Sequence, residues 1–518
     1  MANVEQSQPE SYKITGGKMS QFLLILSIFV IATCGLIYEL IAGTLASYLL
    51  GDSITQFSTI IGIYLFAMGI GSWFSKYLDG NLLKWFIKIE ILVGIVGGCS
   101  APVLFAVFEQ VASFRLILYA FVGLTGVLVG LEIPLLMRLL RNNYEFKDLV
   151  SNVFTFDYIG GLLASLIFPL LLVPYLGLIR TSLFFGLLNI AVALLLLYRF
   201  KEARSFRRSY TAIIVGTILV FIAGLIYAEK IMTYSEGATF QDKVIYSKST
   251  TYQRIVITKN NRELRLFLNG NLQFSSADEY RYHEALIHPA MQNLPQARNV
   301  LVLGGGDGLA VRELLKYPQI QTIKLVDLDP GMTSLFQKNE MLAQLNNHSL
   351  QSPKVKVINT DAFSWIRNDT TKYQLVIIDF PDPANYSVGK LYSNAFYKEI
   401  YRILDENGIA VVQSTSPYIG RRSFWCIDHT LASVGFKTLP YHTYVPSFGE
   451  WGYVMVTKNF SWKNEGTLPA GLRYVTNATI KEMMFFPPDM AEEPTEINKL
   501  NNQVLVHYFE SDWGPYAH

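Results

Sequence analysis

The chain predicts a multi-span α-helical domain followed by a small antiparallel β subdomain and a doubly wound α/β domain, and three observations carry that expectation. Residues before about 230 form long apolar stretches with few charges. Residues 238–275 hold short β-rich runs broken by Asn and Gly. From 299 onward apolar runs alternate with amphipathic ones, as strands and covering helices do in a parallel sheet. At 518 residues the chain is also too long for one core.

After an N-terminal tail at 1–20, a transmembrane domain is expected at 21–230, with about seven helices: 22–49, 54–75, 85–108, 116–137, 153–174, 178–198 and 210–228. Each approaches the roughly 20 apolar residues that cross a hydrocarbon core. A cleaved leader would show a single short apolar core. A multi-pass protein of the cell membrane, with the lipid bilayer as partner, is therefore expected.

The net charge of +2 conceals an uneven distribution. Lys13 and Lys18, Lys76 and Lys84, then Arg138, Arg141 and Lys147, then Arg199, Lys201, Arg204, Arg207 and Arg208 fall in alternate connections, which predicts a cytoplasmic N-terminus. Nothing in this balance calls for nucleic acid. Cys34 and Cys99 lie in apolar spans and Cys426 stands alone in the second half, so neither a disulfide framework nor a metal site is expected.

Glu39, Glu90, Glu132 and Asp157 lie in or near the apolar spans, where ionisable groups are expensive and point to function. Glu132 precedes Ile133-Pro134 and Asp157 is followed by Gly160-Gly161, so interrupted helices lining a polar cavity are one expectation. Acids at an interface or inside a bundle are the other.

The β subdomain, 238–275, reads as strands 254–258 and 264–268 joined by Lys259-Asn260-Asn261-Arg262 and followed by Asn269-Gly270-Asn271. Ser276 with Glu279 three residues on predicts a capped helix running to about Asn293. Strands at 299–303, 322–327, 355–358, 374–379 and 409–413 then alternate with helices at 308–317, 331–343, 361–367 and 393–404, giving a Rossmann-like domain over 276–460. The extension 461–518 has weak periodicity and several prolines, and reads as a cap or lid.

Chemistry concentrates at the ends of the predicted strands, where open α/β sheets bind ligands. Gly304, Gly305, Gly306 and Gly308 let backbone approach a ligand between a strand and a helix. Asp327 ends the next strand, 20 residues after Asp307, and suits ribose hydroxyls. Asp361-Ala362 follows the third strand, where it can receive the exocyclic amine of adenine, cap a helix, or do both. Asp379 and Asp382, separated by Phe380 and Pro381, would join Asp307 in a negative field suited to a cationic substrate. Like charges also raise one another's pKa, which makes one of these acids a better base.

At these residues the chain resembles the polyamine aminopropyltransferases, the spermidine synthase family, in membrane-fused bacterial form. The resemblance covers about 238–460 and rests on Leu268-Asn269-Gly270-Asn271-Leu272-Gln273, Asp278-Glu279-Tyr280-Arg281-Tyr282-His283-Glu284, the glycine loop and Asp379-x-x-Asp382-Pro383. It implies Asp379 as general base, and Tyr282, His283, Asp307 and Asp382 as contacts of putrescine or a similar polyamine. Gln253, Gly304, Gly306, Asp327, Asp361 and Ala362 would hold the nucleoside, with Gln413 and residues 446–452 in the pocket wall. The implied reaction moves an aminopropyl group from decarboxylated S-adenosylmethionine to the amine, with that donor as co-substrate, no cofactor and no metal. It also implies a homodimer or homotetramer formed through the β-rich segment.

One departure stands out. Where the family has a Gly-Pro-rich gate, this chain has Ala384-Asn385-Tyr386-Ser387-Val388-Gly389-Lys390, which leaves the acceptor's length open. Two alternatives remain at this point: a class I methyltransferase-like enzyme using S-adenosylmethionine, or a non-catalytic polyamine sensor or transporter. The side of the membrane is open too, because seven crossings from a cytoplasmic start leave the second half outside, whereas an enzyme of adenosyl metabolites is expected inside.

Overall fold

The computed structural model describes residues 18–50, 53–108, 113–142, 144–240, 242–459 and 466–514, so Lys13, most of the N-terminal tail and the two ends of the C-terminal extension lie outside the described residues. The chain divides into two units at Gln241 and Asp242.

Helices apolar on every side build the first unit, as suits an element surrounded by other helices or by lipid. They are α1 (Lys18–Leu50), α2 (Ser53–Phe74), α3 (Leu82–Val107), α4 (Phe114–Leu140), α5 (Phe146–Ile167), α6 (Val173–Arg199) and α7 (Arg207–Thr239). Small residues let them approach closely. A Cβ on Gly71 of α2 would lie 2.0 Å from the Val127 carbonyl oxygen of α4, and one on Gly130 of α4 would lie 2.2 Å from that of Met68 on α2.

Among the described residues, six stretches are long and apolar enough to cross a membrane. The fifth, Phe146–Arg199, has 54 residues, about 80 Å as one straight helix against a hydrocarbon core of roughly 30 Å. It is broken at Gly177, whose φ of 71° and ψ of 173° no helix contains. The expected spans 153–174 and 178–198 lie on either side of that break. The seventh helix continues past the end of its apolar stretch, Ala228, to Thr239.

The second unit opens with a four-stranded antiparallel sheet in chain order: β1 (Lys243–Ser249), β2 (Arg254–Lys259), β3 (Leu264–Leu268) and β4 (Asn271–Ser275). Asn269 and Gly270, with φ of 51° and 84°, form the two-residue turn between β3 and β4. The helix α8 (Glu279–Met291) follows, but its start differs from expectation. Ser276 does not cap it, because its Oγ accepts from the Leu264 N–H at 2.8 Å and is spent on the sheet.

Next come β5 (Asn299–Gly304), α9 (Leu309–Leu314), β6 (Thr322–Asp327), α10 (Pro330–Lys338), α11 (Glu340–Leu345), β7 (Val355–Asn359), α12 (Ala362–Asn368) and β8 (Tyr373–Asp379). After them run α13 (Tyr386–Gly389), α14 (Asn394–Ile403), β9 (Leu404–Gln413), α15 (Arg421–Ala432), β10 (Lys437–Val445) and β11 (Gly449–Thr457). The extension adds α16 (Asn477–Met483) and α17 (Val504–Trp513). The single helix expected at 331–343 is two, because Asn339 leaves helical geometry and its side chain caps α11 by accepting from the Leu342 N–H.

Strands β5 to β11 form one seven-stranded sheet ordered β10-β11-β9-β8-β5-β6-β7, parallel from β9 to β7 and antiparallel at β11. Val300, Val302, Leu325 and Ile377 enter one buried cluster of this unit, while Leu301, Leu303, Val376 and Ile378 enter the other. Alternate residues of a strand point to opposite faces, so both faces of the sheet are covered. The extension is tied to this body: the Glu284 carboxylate accepts the backbone N–H groups of Arg473, Tyr474 and Val475 at 2.8–2.9 Å.

Candidate active site

The chain leaves β5 toward β6 on one side and later returns to β8 on the other, so the ends of β5 and β8 diverge at a topological switch point. Gly304 stands opposite Asp379 in register there. A Cβ on Gly304, whose φ is 81°, would lie 2.2 Å from the Asp379 carbonyl oxygen, so only glycine fits.

Asp379 is half-buried, and the Tyr282 hydroxyl of α8 donates to its Oδ1 at 2.5 Å. Burial raises its pKa to about 6; the charge of His283 opposes the rise, that of Asp307 adds to it, and the Tyr282 hydrogen bond opposes it. Asp307 is raised likewise by burial, with His283 and the Leu309 N–H acting against. Helix α8 thus brings two adjacent side chains to the ends of two strands.

His283 turns its Nδ1 to the Glu279 carboxylate and carbonyl, each at 2.8 Å. Burial favours the neutral ring, but the hydrogen bond and charge of Glu279 prevail and raise its pKa to about 8. Glu279 is in turn gripped by both Nη atoms of Arg312 at 2.9 Å. Such a fork-to-carboxylate pair holds the histidine's partner in place.

Asp327, at the end of β6, accepts the Asp329 N–H at 2.8 Å, and burial raises its pKa to about 6. A Cβ on Gly306 would lie 2.7 Å from the Asp327 Oδ2, so the glycine loop and this acid share one narrow space. Gln253, on the turn between β1 and β2, donates to Asp329 Oδ2 at 2.9 Å, and Thr250 donates to the same oxygen at 2.8 Å. The β subdomain thereby reaches the neighbourhood of Asp327.

Asp382 has hydrogen-bond partners of its own. It accepts from Gln413 Nε2 at 3.1 Å and Thr415 Oγ1 at 3.4 Å, and burial against those two bonds raises its pKa to about 6. Asp361 caps α12 through the Ser364 N–H at 2.8 Å and also pairs with Lys390 at 2.9 Å. Ala362, beside it, is buried at the first position of that helix.

Residues 279–465 match the family model described as the spermine/spermidine synthase domain. The chain is 51% identical over 501 residues to polyamine aminopropyltransferase 2 of Ralstonia nicotianae, covering 95% of this chain and 98% of that one. The chain belongs to the polyamine aminopropyltransferase family. It is a transferase. A polyamine aminopropyltransferase of Leptospira interrogans is 48% identical over 95% of this chain and 99% of its own length, and one from Streptomyces coelicolor 38% identical over 96% of each. Among solved structures, a spermidine synthase bound to the transition state analogue AdoDATO aligns at 24% identity over 47% of this chain and 85% of its own, with a TM-score of 0.45. The matches to these curated relatives extend over 95–96% of this chain.

Four residues of this aminopropyltransferase escape sequence reasoning. Tyr392 donates to the Phe380 and Pro381 carbonyls at 3.2 and 3.1 Å, fixing the loop between Asp379 and Asp382. Thr415 holds Asp382 from a left-handed backbone, φ 56°, a costly conformation for a β-branched residue. Lys390 reaches Asp361 from the divergent loop, and Asn498 of the extension donates to the Gly389 and Tyr392 carbonyls at 3.1 Å. Only Lys390 carried a signal, as the one cation in the departing segment.

Proposed function

We propose that the enzyme transfers the aminopropyl group of decarboxylated S-adenosylmethionine to putrescine or a similar amine, giving spermidine and methylthioadenosine. The observation that carries this reading is the set of half-buried Tyr282, Asp307 and Asp379 with buried His283 at the sheet's switch point, beside the glycine loop and Asp327.

Carbon next to a sulfonium is already activated, so the protein must present a neutral nitrogen in line. An alkylamine with a pKa near 10.4 costs about 4–5 kcal/mol to deprotonate at pH 7. Asp379 takes that proton. The freed lone pair forms the new C–N bond, the C–S bond breaks, and sulfur leaves as a neutral thioether. Asp307 and Asp382 hold ammonium groups, Tyr282 orients Asp379, and His283, whose pKa Glu279 raises to about 8, lines the amine site without taking the amine's proton. Asp327 receives the ribose against the backbone of Gly304 and Gly306, Gln253 supports that wall through Asp329, and Asp361 with Ala362 faces the adenine.

Purified enzyme given both substrates should release methylthioadenosine and spermidine in equal amounts, and Asp379→Asn should lower kcat by about 10²–10⁴-fold. Unchanged turnover in that variant from pH 5 to 9 removes Asp379 from the role.

We also propose that the helical unit is a multi-pass domain of the cell membrane and that the protein forms a homodimer or homotetramer through its β-rich sheet. Six apolar stretches support the first. Resistance to extraction by alkaline carbonate, and light scattering in detergent, test the two statements separately.

A further inference from the structure

The last helix of the extension, α17, is fixed to the catalytic body at both ends. At its start Gln503 and Val506 close on Gly389, where a Cβ would lie 2.7 Å from the Gln503 Oε1 and 2.6 Å from a Val506 methyl. At its end the Asp512 carboxylate accepts the Ser423 N–H at 3.1 Å and the Ser423 hydroxyl at 2.8 Å. Trp513, the next residue and the last of the helix, is thereby set in place.

Two routes lead from Asp382 to this indole, each through one hydrogen-bond partner. Gln413 donates to Asp382 through Nε2 at 3.1 Å and accepts the Trp451 indole N–H at 3.1 Å through Oε1. The Trp451 and Trp513 rings lie 6.4 Å apart, tilted by 56°. Thr415, whose hydroxyl donates to the other oxygen of Asp382, meets Trp513 across Gly420. A Cβ at 420 would lie 3.5 Å from the Thr415 methyl and 3.0 Å from the Trp513 Nε1.

The rings continue toward the other acid. Trp451 and Phe448 have centroids 5.1 Å apart, Phe448 and Tyr282 6.4 Å, and Tyr282 donates to Asp379. One aromatic strip therefore runs from the Asp379 side to the Asp382 side. Methylenes of a linear amine pack well on such a strip, and an ammonium near an indole is attracted by the ring's quadrupole. The Trp513 Nε1 is buried and reaches no acceptor among the described residues. A buried donor left unpaired is costly, so ring contacts and not a hydrogen bond determine where this indole sits.

We propose that Trp513 is a specificity-determining residue of the transfer reaction, its indole closing the far end of the amine site and recognising the ammonium held by Asp382. Only the presence of that ammonium rests on the proposed function. The extension, read from sequence as a cap or lid, thereby supplies one wall of the acceptor site, and that wall limits the acceptor's length.

The test uses the full-length enzyme in detergent, with methylthioadenosine release measured on putrescine and, as a longer acceptor, spermidine. Trp513→Leu should raise the KM for putrescine at least tenfold, with kcat changed less than threefold and the KM for the donor unmoved. Trp513→Phe, which keeps an aromatic face, should hold that KM within threefold of wild type. Trp513→Ala, which opens the wall, should raise kcat/KM for spermidine relative to putrescine at least tenfold. The Leu and Ala variants each decide the matter if the other does not fold. Equal KM values in the Leu and Phe variants would mean that the site needs only apolar bulk, and they overturn the proposal. So does a loss confined to kcat or shared by the KM for the donor, the mark of a merely structural role. Wild-type enzyme that releases no methylthioadenosine from either acceptor overturns the proposed function and this inference with it. Wild-type turnover with an unchanged acceptor profile in all three variants overturns this inference alone.

Discussion

Asp379 works at the margin between two ionisation states. With a pKa pushed up to about 6, its base form is scarce at pH 5 and dominant at pH 7, so log kcat/KM should rise with unit slope and level off above about pH 6. His283 sets that limb, because its positive charge lowers Asp379. Replacing His283 by Gln should move the limb to higher pH, and a pH profile that stays in place would show that the ring is not felt by Asp379. Stability carries the opposite sign. A carboxyl whose folded pKa exceeds its unfolded value near 3.9 favours the fold below about pH 4 and loses that advantage as pH rises to about 6. Asp379→Asn should therefore raise the unfolding temperature of the full chain relative to wild type at pH 8 but not at pH 4, even as activity collapses. The acids themselves were legible in the sequence because each follows an apolar run or a glycine turn. Their partners were not: Glu279 looked like half of a capping box, and only the fold shows it turned to His283 and Arg312.

The departing segment between β8 and α14 has the most local consequences among the elements. Its Lys390 pairs with Asp361, which the proposed function assigns to adenine. Both side chains are about one-third exposed, so the pair is worth no more than about 1 kcal/mol, and Lys390→Met should tighten donor binding by less than about fivefold in calorimetry. Weaker binding would mean that Lys390 assists the nucleoside. Gly306→Ala should do the reverse, raising KM for the donor at least tenfold with a smaller change in kcat, because its methyl group would lie 2.7 Å from Asp327. Parallel strands were legible because they read as unbroken apolar runs. The antiparallel pair β10 and β11 was not, since Pro440, Gly449 and Gly452 interrupt its pattern although both strands pair along their whole length. In α5 and α6, apolar composition located the spans but not the junction, which rests on one glycine conformation at 177.

At the scale of the whole molecule, each unit has a hydrophobic core of its own: one cluster runs from Leu24 to Ala228, and the others lie wholly beyond residue 242. Separate cores permit separate folding. Residues 242–518 expressed alone should stay monodisperse without detergent and turn over within about tenfold of the full chain, measured by methylthioadenosine release. Aggregation of that fragment would mean that the helices are required for the fold rather than for another task. Composition revealed the two halves at once, whereas the hold of the extension on the catalytic body was invisible, because it depends on backbone groups that any sequence carries.

That hold has a consequence for evolution and redesign. Asn498 clamps Gly389 and Tyr392, the frame of the loop that would face the amine, from more than 100 residues downstream. On the proposed function, selectivity for acceptor length would then be a joint property of two distant stretches of chain. Grafting the loop of one relative into another without its matching tail should yield a folded but indiscriminate enzyme, and moving both together should transplant the preference intact.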